Sequence, residues 1–300
     1  MKAPPTRRAP WKRKAGFDTA LGLDRFPGPL AVAARVALYA VAVAIFAGPL
    51  LALLVSSLRR VPNPSQFSIW PDNLTLDNYR VAASRGVYKY LVNSLLVVGG
   101  GLLLQIAVSV SAAYALARKR FPGMRLVLLL ILSTMMLPEE VLAIPLSIVL
   151  NDLPVVHWRL LGSLWGMIIP VGAWGMSILV MSEFMKEIPI ELDEAARIDG
   201  AGELRLFWSV ILPLCRPALG VIGIFGFSMI WDQYILPLIV AEHSSQFTLP
   251  LALRTLRSDE QVGVGALLAG AVLALLPTVV VFLFFQRQFM KGLTAGAVKG

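Results

Sequence analysis

One short segment in the second half of the chain contains the residues whose types and spacing are best suited to chemistry. Three acids, Glu191, Asp193 and Glu194, follow Pro189, and small residues lead from them to Gly200. Proline suits the first turn of a helix, acids there complement the positive end of the helix dipole, and glycine favours the left-handed conformation that ends a helix. Acids beside a tip of small residues offer a partner an ion pair and close approach. The pattern therefore predicts a docking surface and not a catalytic centre.

A second short helix is predicted from Glu203 to Leu212. The whole segment, residues 183–216, would then form a helix, a tight turn and another helix. The alternative is an amphipathic connector lying on the bilayer surface. Acidic residues outnumber basic ones between Glu183 and Arg216, and this surplus opposes adsorption to anionic lipid. Docking is therefore the favoured interpretation.

A second group of candidate residues lies at the end of an apolar run that begins near Pro217. Asp232 is followed there by Gln233 and Tyr234, which add an amide and an aromatic ring. An ionised carboxylate at membrane depth costs about 2.5–3.5 kcal/mol, so Asp232 should face water or a partner and not lipid. Two interpretations stay open: a translocation pathway for a hydroxylated solute, or a structural cap at a helix end. Asn93, in an earlier apolar run, either lines the same pathway or bonds to a neighbouring helix.

These residues need a framework that lipid can solvate. Of the 300 residues, 57% are apolar and 15% are charged, with a mean hydropathy of +0.73. A helix needs about 20 apolar residues to cross a membrane. Four such stretches have no Asp, Glu, Lys or Arg, and two more are interrupted by Pro138-Glu139-Glu140 or by Asp232. The predicted fold is therefore all-α, a polytopic membrane protein with six transmembrane helices. The uninterrupted stretches lie between Arg35 and Arg59, Lys89 and Arg118, Arg159 and Glu183, and Glu260 and Arg287.

The distribution of charge predicts how the chain is oriented. Most of its 27 Lys and Arg residues fall in segments that are cytoplasmic if both termini are inside, which the positive-inside rule favours. Residues 1–28 are rich in Pro and basic residues, and are predicted to form a disordered cytoplasmic tail beside anionic lipid. No nucleic-acid-binding module accompanies this tail. Residues 29–300 form the transmembrane domain, and Cys215, the single cysteine, excludes an intrachain disulfide.

The sequence does not indicate a catalytic or cofactor site. Gly99-Gly100-Gly101 is followed by no Lys-Ser or Lys-Thr, so it does not match a nucleotide-binding loop; small residues in a spanning helix favour close helix packing instead. The two histidines, His157 and His243, are both predicted in outer loops. We therefore predict no enzymatic activity, no metal and no cofactor in this chain. A membrane-embedded enzyme and a passive channel are the alternative classes.

The docking segment and several further motifs resemble a known family. Glu194-Ala195-Ala196, Asp199-Gly200-Ala201 and Leu212-Pro213 match the EAA motif of ABC importer permeases. The order of the other motifs, from about residue 30 to the C-terminus, resembles the second permease subunit of carbohydrate importers of the maltose-transporter type. These motifs are Asn93-Ser94, Ala113-Tyr114-Ala115-Leu116-Ala117-Arg118, Phe121-Pro122-Gly123, Ile144-Pro145-Leu146, Trp231-Asp232-Gln233-Tyr234, Pro237-Leu238 and the tail from Gly292 to Gly300.

The resemblance implies a type I ABC importer permease that forms half of the pathway for a sugar or sugar-like solute. The implied ATPase-docking residues are Glu194, Ala195, Ala196, Asp199, Gly200 and Ala201. The implied partners are a second homologous permease subunit, two ATPase subunits and an extracytoplasmic solute-binding protein, assembled in the inner membrane of a bacterium. ATP and Mg would bind to the ATPase subunits, whose closure would drive alternating access. The solute stays open between a sugar, a phosphorylated polyol and a peptide.

Overall fold

Helices make up nearly all of the regular structure in the computed structural model, which describes residues 29–59, 70, 73–257 and 263–297. Within those ranges there is no strand, and one isolated bridge joins Arg59 and Leu74. The predicted basic tail, residues 1–28, lies outside the described residues. The helices are α1 (Pro29–Ser57), α2 (Asp77–Ser84), α3 (Val87–Arg118), α4 (Met124–Met136), α5 (Glu139–Asn151), α6 (Trp165–Val171), α7 (Gly175–Glu187), α8 (Glu191–Ile198), α9 (Glu203–Leu214), α10 (Arg216–Trp231), α11 (Ile235–Val240), α12 (Leu249–Arg257) and α13 (Val264–Ala297), with a 3₁₀ turn at Ser244–Gln246.

Six membrane spans can be assigned to these helices. α1, α3 and α13 are each long and apolar enough to cross a membrane alone. Three further pairs qualify together although they are bent: α4 with α5 by 111°, α6 with α7 by 40°, and α9 with α10 by 71°. Counting each pair as one span gives the six that the sequence predicts, so the all-α polytopic fold is confirmed.

The sharpest of these bends has a local cause in the sequence. A residue that precedes proline is disfavoured in the helical conformation. Leu137, which precedes Pro138, has φ −86° and ψ 124°, and α4 ends one residue earlier. α5 then begins with Glu139 and Glu140 in its first turn. The interruption seen in the third apolar stretch is therefore a true helix break.

A second proline, Pro213, lies near the end of α9 and follows a π-helical turn. Residues Phe207–Ile211 form a π-helical turn, and Leu212 N–H bonds to the carbonyl oxygen five residues earlier, on Phe207. Pro213 follows directly; it has no N–H, and in a regular α-helix its ring would clash with the carbonyl four residues before it. The π-helical turn relieves this clash, so the predicted helix end at Leu212 comes two residues too early. The helix continues to Leu214 and bends at Cys215.

α3 lies at the centre of the bundle and contacts α6, α7 and α10. Two glycines let α6 approach it closely. A Cβ atom on Gly101 would stand 2.7 Å from Cγ2 of Val171, and one on Gly100 would stand 2.9 Å from Cδ1 of Ile168. Such distances are shorter than any relaxed carbon contact. Close helix packing, the interpretation favoured for this glycine run, is confirmed for these two residues.

The outer faces of the bundle are apolar and exposed. Phe46 on α1 is 78% exposed, and α4 and α13 likewise expose leucine, valine and phenylalanine side chains. A soluble monomer rarely exposes contiguous apolar surface of this extent. In helices whose backbone hydrogen bonds are satisfied internally, such a surface suits lipid. The chain is an integral membrane protein.

Candidate functional site

The segment interpreted from the sequence as a docking surface forms a helical hairpin. It consists of α8, a turn at residues 199–202 and α9, and is called the docking hairpin below. Pro189 was predicted to be the first residue of this helix, but α8 begins two residues later, at Glu191. All three acids lie in its first turn. The predicted order of helix, tight turn and second helix is therefore present.

A Schellman motif closes the end of α8. Ala201 N–H donates to the carbonyl oxygen of Ala196 at 2.9 Å, and Gly200 N–H donates to that of Arg197 at 3.0 Å. This pair of bonds requires the first residue after the helix end, here residue 200, to adopt the left-handed conformation. Gly200 has a φ of +79°, so the positive φ predicted for it is confirmed.

The tip of the docking hairpin is exposed. Four of the six predicted docking residues are exposed and two are half-buried. The exposed residues are Glu194, Ala195, Asp199 and Gly200, and the half-buried ones are Ala196 and Ala201. Large apolar side chains lie beside them: Ile198 is 86% exposed, Trp208 is 62% exposed, and Leu204 is also exposed. Apolar and acidic groups that are exposed together are typical of a protein interface. The predicted docking set omitted Ile198, Leu204 and Trp208, although large apolar residues in an otherwise polar segment were a usable signal.

Asp193, grouped from the sequence with the other acids of the first turn, is buried. Its Oδ2 lies 3.7 Å from Nε of Arg118 at the end of α3, and the two side chains are 6% and 5% exposed. Arg118 also donates a hydrogen bond from Nη2 to the carbonyl oxygen of Ile188 at 2.8 Å. One buried guanidinium therefore ties the start of the docking hairpin to the central helix of the bundle. The sequence analysis missed this role for Asp193 and Arg118.

Glu203, the first residue of α9, holds a second set of contacts. Its Oε2 accepts a hydrogen bond from the Tyr114 hydroxyl at 2.8 Å and lies 2.6 Å from Nζ of Lys119. Its Oε1 accepts from Nη2 of Arg197 at 2.8 Å. These groups are partly exposed, and a single exposed ion pair contributes little to stability. Together they join α3, α8 and α9 at one point.

A cavity lies on another part of the chain, where three helix breaks meet. It has a volume of ≈ 410 Å³ and is lined by residues of the α4–α5, α6–α7 and α10–α11 junctions. Cavities of about 300–1,000 Å³ accommodate small-molecule ligands. Non-helical backbone at membrane depth is tolerated where protein or water surrounds it. The cavity is therefore the candidate pathway region of this chain.

Gln233 is the predicted pathway residue that lines this cavity. Its Nε2 lies 3.1 Å from Oε1 and 3.3 Å from Oε2 of Glu139, so the amide donates to a carboxylate across the cavity wall. Tyr234, the next residue, lies outside the lining, and its ring centroid is 4.6 Å from the Arg254 guanidinium carbon. The cavity wall therefore contains a carboxylate–amide pair. Glu139 was known from the sequence as a helix interruption, but its partner, 94 residues away, was not.

The two remaining candidate pathway residues lie elsewhere. Asp232 is exposed at the end of α10, where its N–H donates to Ser228 O at 3.0 Å, and it does not line the cavity. Asn93 is buried and donates from Nδ2 to the carbonyl oxygens of Ser245 and Phe247 at 3.0 and 2.9 Å. Of the alternatives left open, these positions favour a helix end for Asp232 and a bond to a neighbouring segment for Asn93.

We expect Asp232→Asn to leave the solute uptake of the assembled transporter nearly unchanged, because the near-isosteric amide still fits the exposed helix end. Gln233→Leu, one residue on, removes the donor to Glu139 and is expected to lower uptake. Both variants are compared at equal abundance of the complex. A loss of uptake in Asp232→Asn with normal abundance would return Asp232 to the pathway.

Taken together, the six candidate spans, the exposed docking hairpin and the cavity are the features of a membrane transport subunit. Residues 105–294, more than half of the chain, match the family described as the binding-protein-dependent transport system inner membrane component. The chain belongs to this family, and the resemblance to ABC importer permeases is confirmed.

Named relatives match over most of their length. The arabinooligosaccharides transport system permease protein AraQ of Halalkalibacterium halodurans is 33% identical over 86% of this chain and 92% of its own. The maltodextrin transport system permease protein MdxG of Bacillus subtilis is 33% identical over 84% and 90%. A solved bacterial ABC transporter for import of the acidic polysaccharide alginate has a chain with TM-score 0.71 and 21% identity, covering 93% of this chain and 99% of that one. At that identity, the structure shows a shared fold.

Proposed function

We propose that this chain is a permease subunit of an ATP-driven importer and forms half of the pathway for a sugar or sugar-like solute. The observation that carries the proposal is the docking hairpin, whose exposed tip holds the matched motif around Glu194 and Gly200. The cargo is inferred from the relatives, because the permease proteins AraQ and MdxG are named for arabinooligosaccharides and maltodextrin, which are carbohydrates. The volume of the cavity and its carboxylate–amide pair suit a hydroxylated ligand.

In this proposal the chain hydrolyses nothing and binds no cofactor, while ATP and Mg bind to two partner ATPase subunits. Glu194 makes a charge-assisted contact with a basic residue of the ATPase. Closure of the ATPase pair moves the docking hairpin, which is continuous with α10 and tied to α3 through Arg118. Movement of these helices would open the cavity alternately to either side.

The proposed assembly also contains a second, homologous permease subunit and an extracytoplasmic solute-binding protein in a bacterial inner membrane. Both termini lie inside, because the docking hairpin must reach ATPases on the side where ATP is present. The positive-inside rule favours the same orientation. The basic residues before α1 would then lie beside anionic lipid.

The proposal is tested by reconstituting the chain with its partner permease, ATPase and binding protein in proteoliposomes. We expect ATP-dependent uptake of at least one labelled neutral oligosaccharide, an arabinooligosaccharide or a maltodextrin. Omitting ATP or the binding protein should abolish this uptake. Uptake without ATP would indicate a passive channel. Uptake of a phosphorylated polyol or a peptide in place of every sugar would overturn the assigned cargo.

A further inference from the structure

The charges around the cavity are unbalanced. Among the described residues that line it, Glu139 alone is charged, and no lysine, arginine or histidine is present in the lining. The rest of the wall is apolar apart from a few polar groups, including Gln233 and Thr134. A ligand that enters this half of the pathway therefore meets one carboxylate and no compensating cation.

The position of Glu139 follows from tertiary structure and not from its helix alone. Glu139 and Glu140 both lie in the first turn of α5, where any acid complements the helix dipole. Glu139, however, lines the cavity and accepts from Gln233, whereas Glu140 is outside the lining. Two adjacent acids of the same helix turn thus have different surroundings, and they form a matched pair for experiment.

An electrostatic preference follows from this geometry. Glu139 is exposed at the cavity wall, where two unit charges a few ångströms apart interact by about 1 kcal/mol even in bulk water. A carboxylate or phosphate on a solute would be repelled by Glu139, whereas hydroxyl groups can donate to it and an ammonium group would be attracted. The Gln233 amide donates to both carboxylate oxygens of Glu139. These contacts keep the negative charge at the cavity wall.

We propose that Glu139 makes the cavity a charge filter, which passes neutral or amine-bearing hydroxylated solutes and disfavours those with a carboxylate or phosphate. The inference rests on the proposed function, because it assigns the substrate class of the same pathway. Among the solutes that the sequence left open, it disfavours the phosphorylated polyol.

The reactivity of a thiol beside Glu139 towards anionic and cationic reagents measures this charge preference, and the solute need not be known. Ala143 lines the cavity and follows Glu139 by four residues on α5, so the two side chains lie on one face. In the assembled complex, with buried Cys215 replaced by alanine, Ala143→Cys is treated with an anionic and a cationic methanethiosulfonate of similar size. The rate of each modification is measured from the increase in mass of this subunit. Any effect of Glu139 on thiol ionisation cancels in the ratio of the two rates.

We expect Glu139→Gln to raise the anionic-to-cationic rate ratio about tenfold, a value that one screened charge at this spacing supports. Glu140→Gln should leave the ratio close to that of the parent. Equal ratios in the parent and the Glu139→Gln variant, or equal shifts in both glutamine variants, would overturn the proposal.

Uptake supplies the second measurement. We define the uptake quotient as the uptake rate of a uronate-containing oligosaccharide divided by that of its neutral counterpart. This quotient is compared between Glu139→Gln and wild type. The same binding protein serves both complexes, so its own preference cancels, and we expect the quotient to rise about tenfold. A changed thiol ratio with an unchanged uptake quotient would overturn selection by Glu139. If the wild type transports no sugar, the proposed function fails, and the thiol ratio still decides whether the cavity disfavours anions.

Discussion

Asp193→Ala is expected to disable the transporter by leaving the Arg118 guanidinium buried and unpaired. Removing one partner of a buried ion pair typically costs about 3–5 kcal/mol. Asp193 and Arg118 connect the docking hairpin to α3, so this loss should loosen the part of the chain that we propose transmits ATPase movement. We expect a lower abundance of the assembled complex, and fewer solute molecules transported per ATP in the complex that remains. Abundance, thermal midpoint and this coupling ratio are the measurements.

Glu191→Ala is the matched control for Asp193→Ala. Glu191 lies in the same first turn of α8 but is exposed, so its removal should have little effect on stability. If both variants lowered the thermal midpoint equally, loss of a helix-dipole acid would explain the result and the buried pair would not.

Replacing both Asp193 and Arg118 with apolar residues tests whether their charges are required or only their packing. The pair is separated by 3.7 Å, and neither Asp193 Oδ1 nor Arg118 Nε has a hydrogen-bond partner among the described residues. Apolar replacement of a buried pair is often neutral or stabilising. We therefore expect Arg118→Met combined with Asp193→Leu to restore abundance that Asp193→Ala loses. Failure of the double variant to assemble would show that the charges themselves are required.

Gly200→Val is expected to uncouple ATP hydrolysis from uptake while the chain remains inserted in the membrane. Gly200 has a φ of +79°, and a left-handed conformation costs an ordinary L-residue about 1–2 kcal/mol. An added Cβ would meet nothing within 4 Å, so the expected effect comes from the backbone and not from crowding. Valine should shift the turn, break the Schellman bonds that end α8, and change the orientation of the hairpin tip. ATPase rate and uptake are measured on the same reconstituted complex.

Gly202 provides a matched control two residues away. It has a φ of −72° and a ψ of 169°, a conformation that any residue adopts, and its Cβ position is also open. Gly202→Val should therefore retain coupling. Gly200→Asn should retain more activity than Gly200→Val, because asparagine tolerates the left-handed region better than a β-branched residue. Normal coupling in Gly200→Val would mean that the turn does not need its positive φ to function.

Features that depend on neighbours along the chain were predicted well. The six spans follow from apolar runs of sufficient length, because lipid solvation acts on each helix separately. The helix, left-handed glycine and second helix of the docking hairpin follow from residues 189–212, because dihedral preferences and capping bonds are local. The end of the second helix was predicted two residues too early, because a π-helical turn accommodates Pro213 and the chain bends at Cys215 instead.

The sequence by itself therefore determined the membrane class, the six candidate spans and the position of the docking hairpin. Only the tertiary structure distinguished buried Asp193 from exposed Glu191 and Glu194, because burial depends on Arg118 at the end of a distant helix. The pairing of Glu139 with Gln233 was decided in the same way, by three helix breaks that meet around one cavity. Adjacent acids have similar local surroundings in the sequence, and the element that packs against each one decides whether its charge is buried in an ion pair, lies at a cavity wall or faces water.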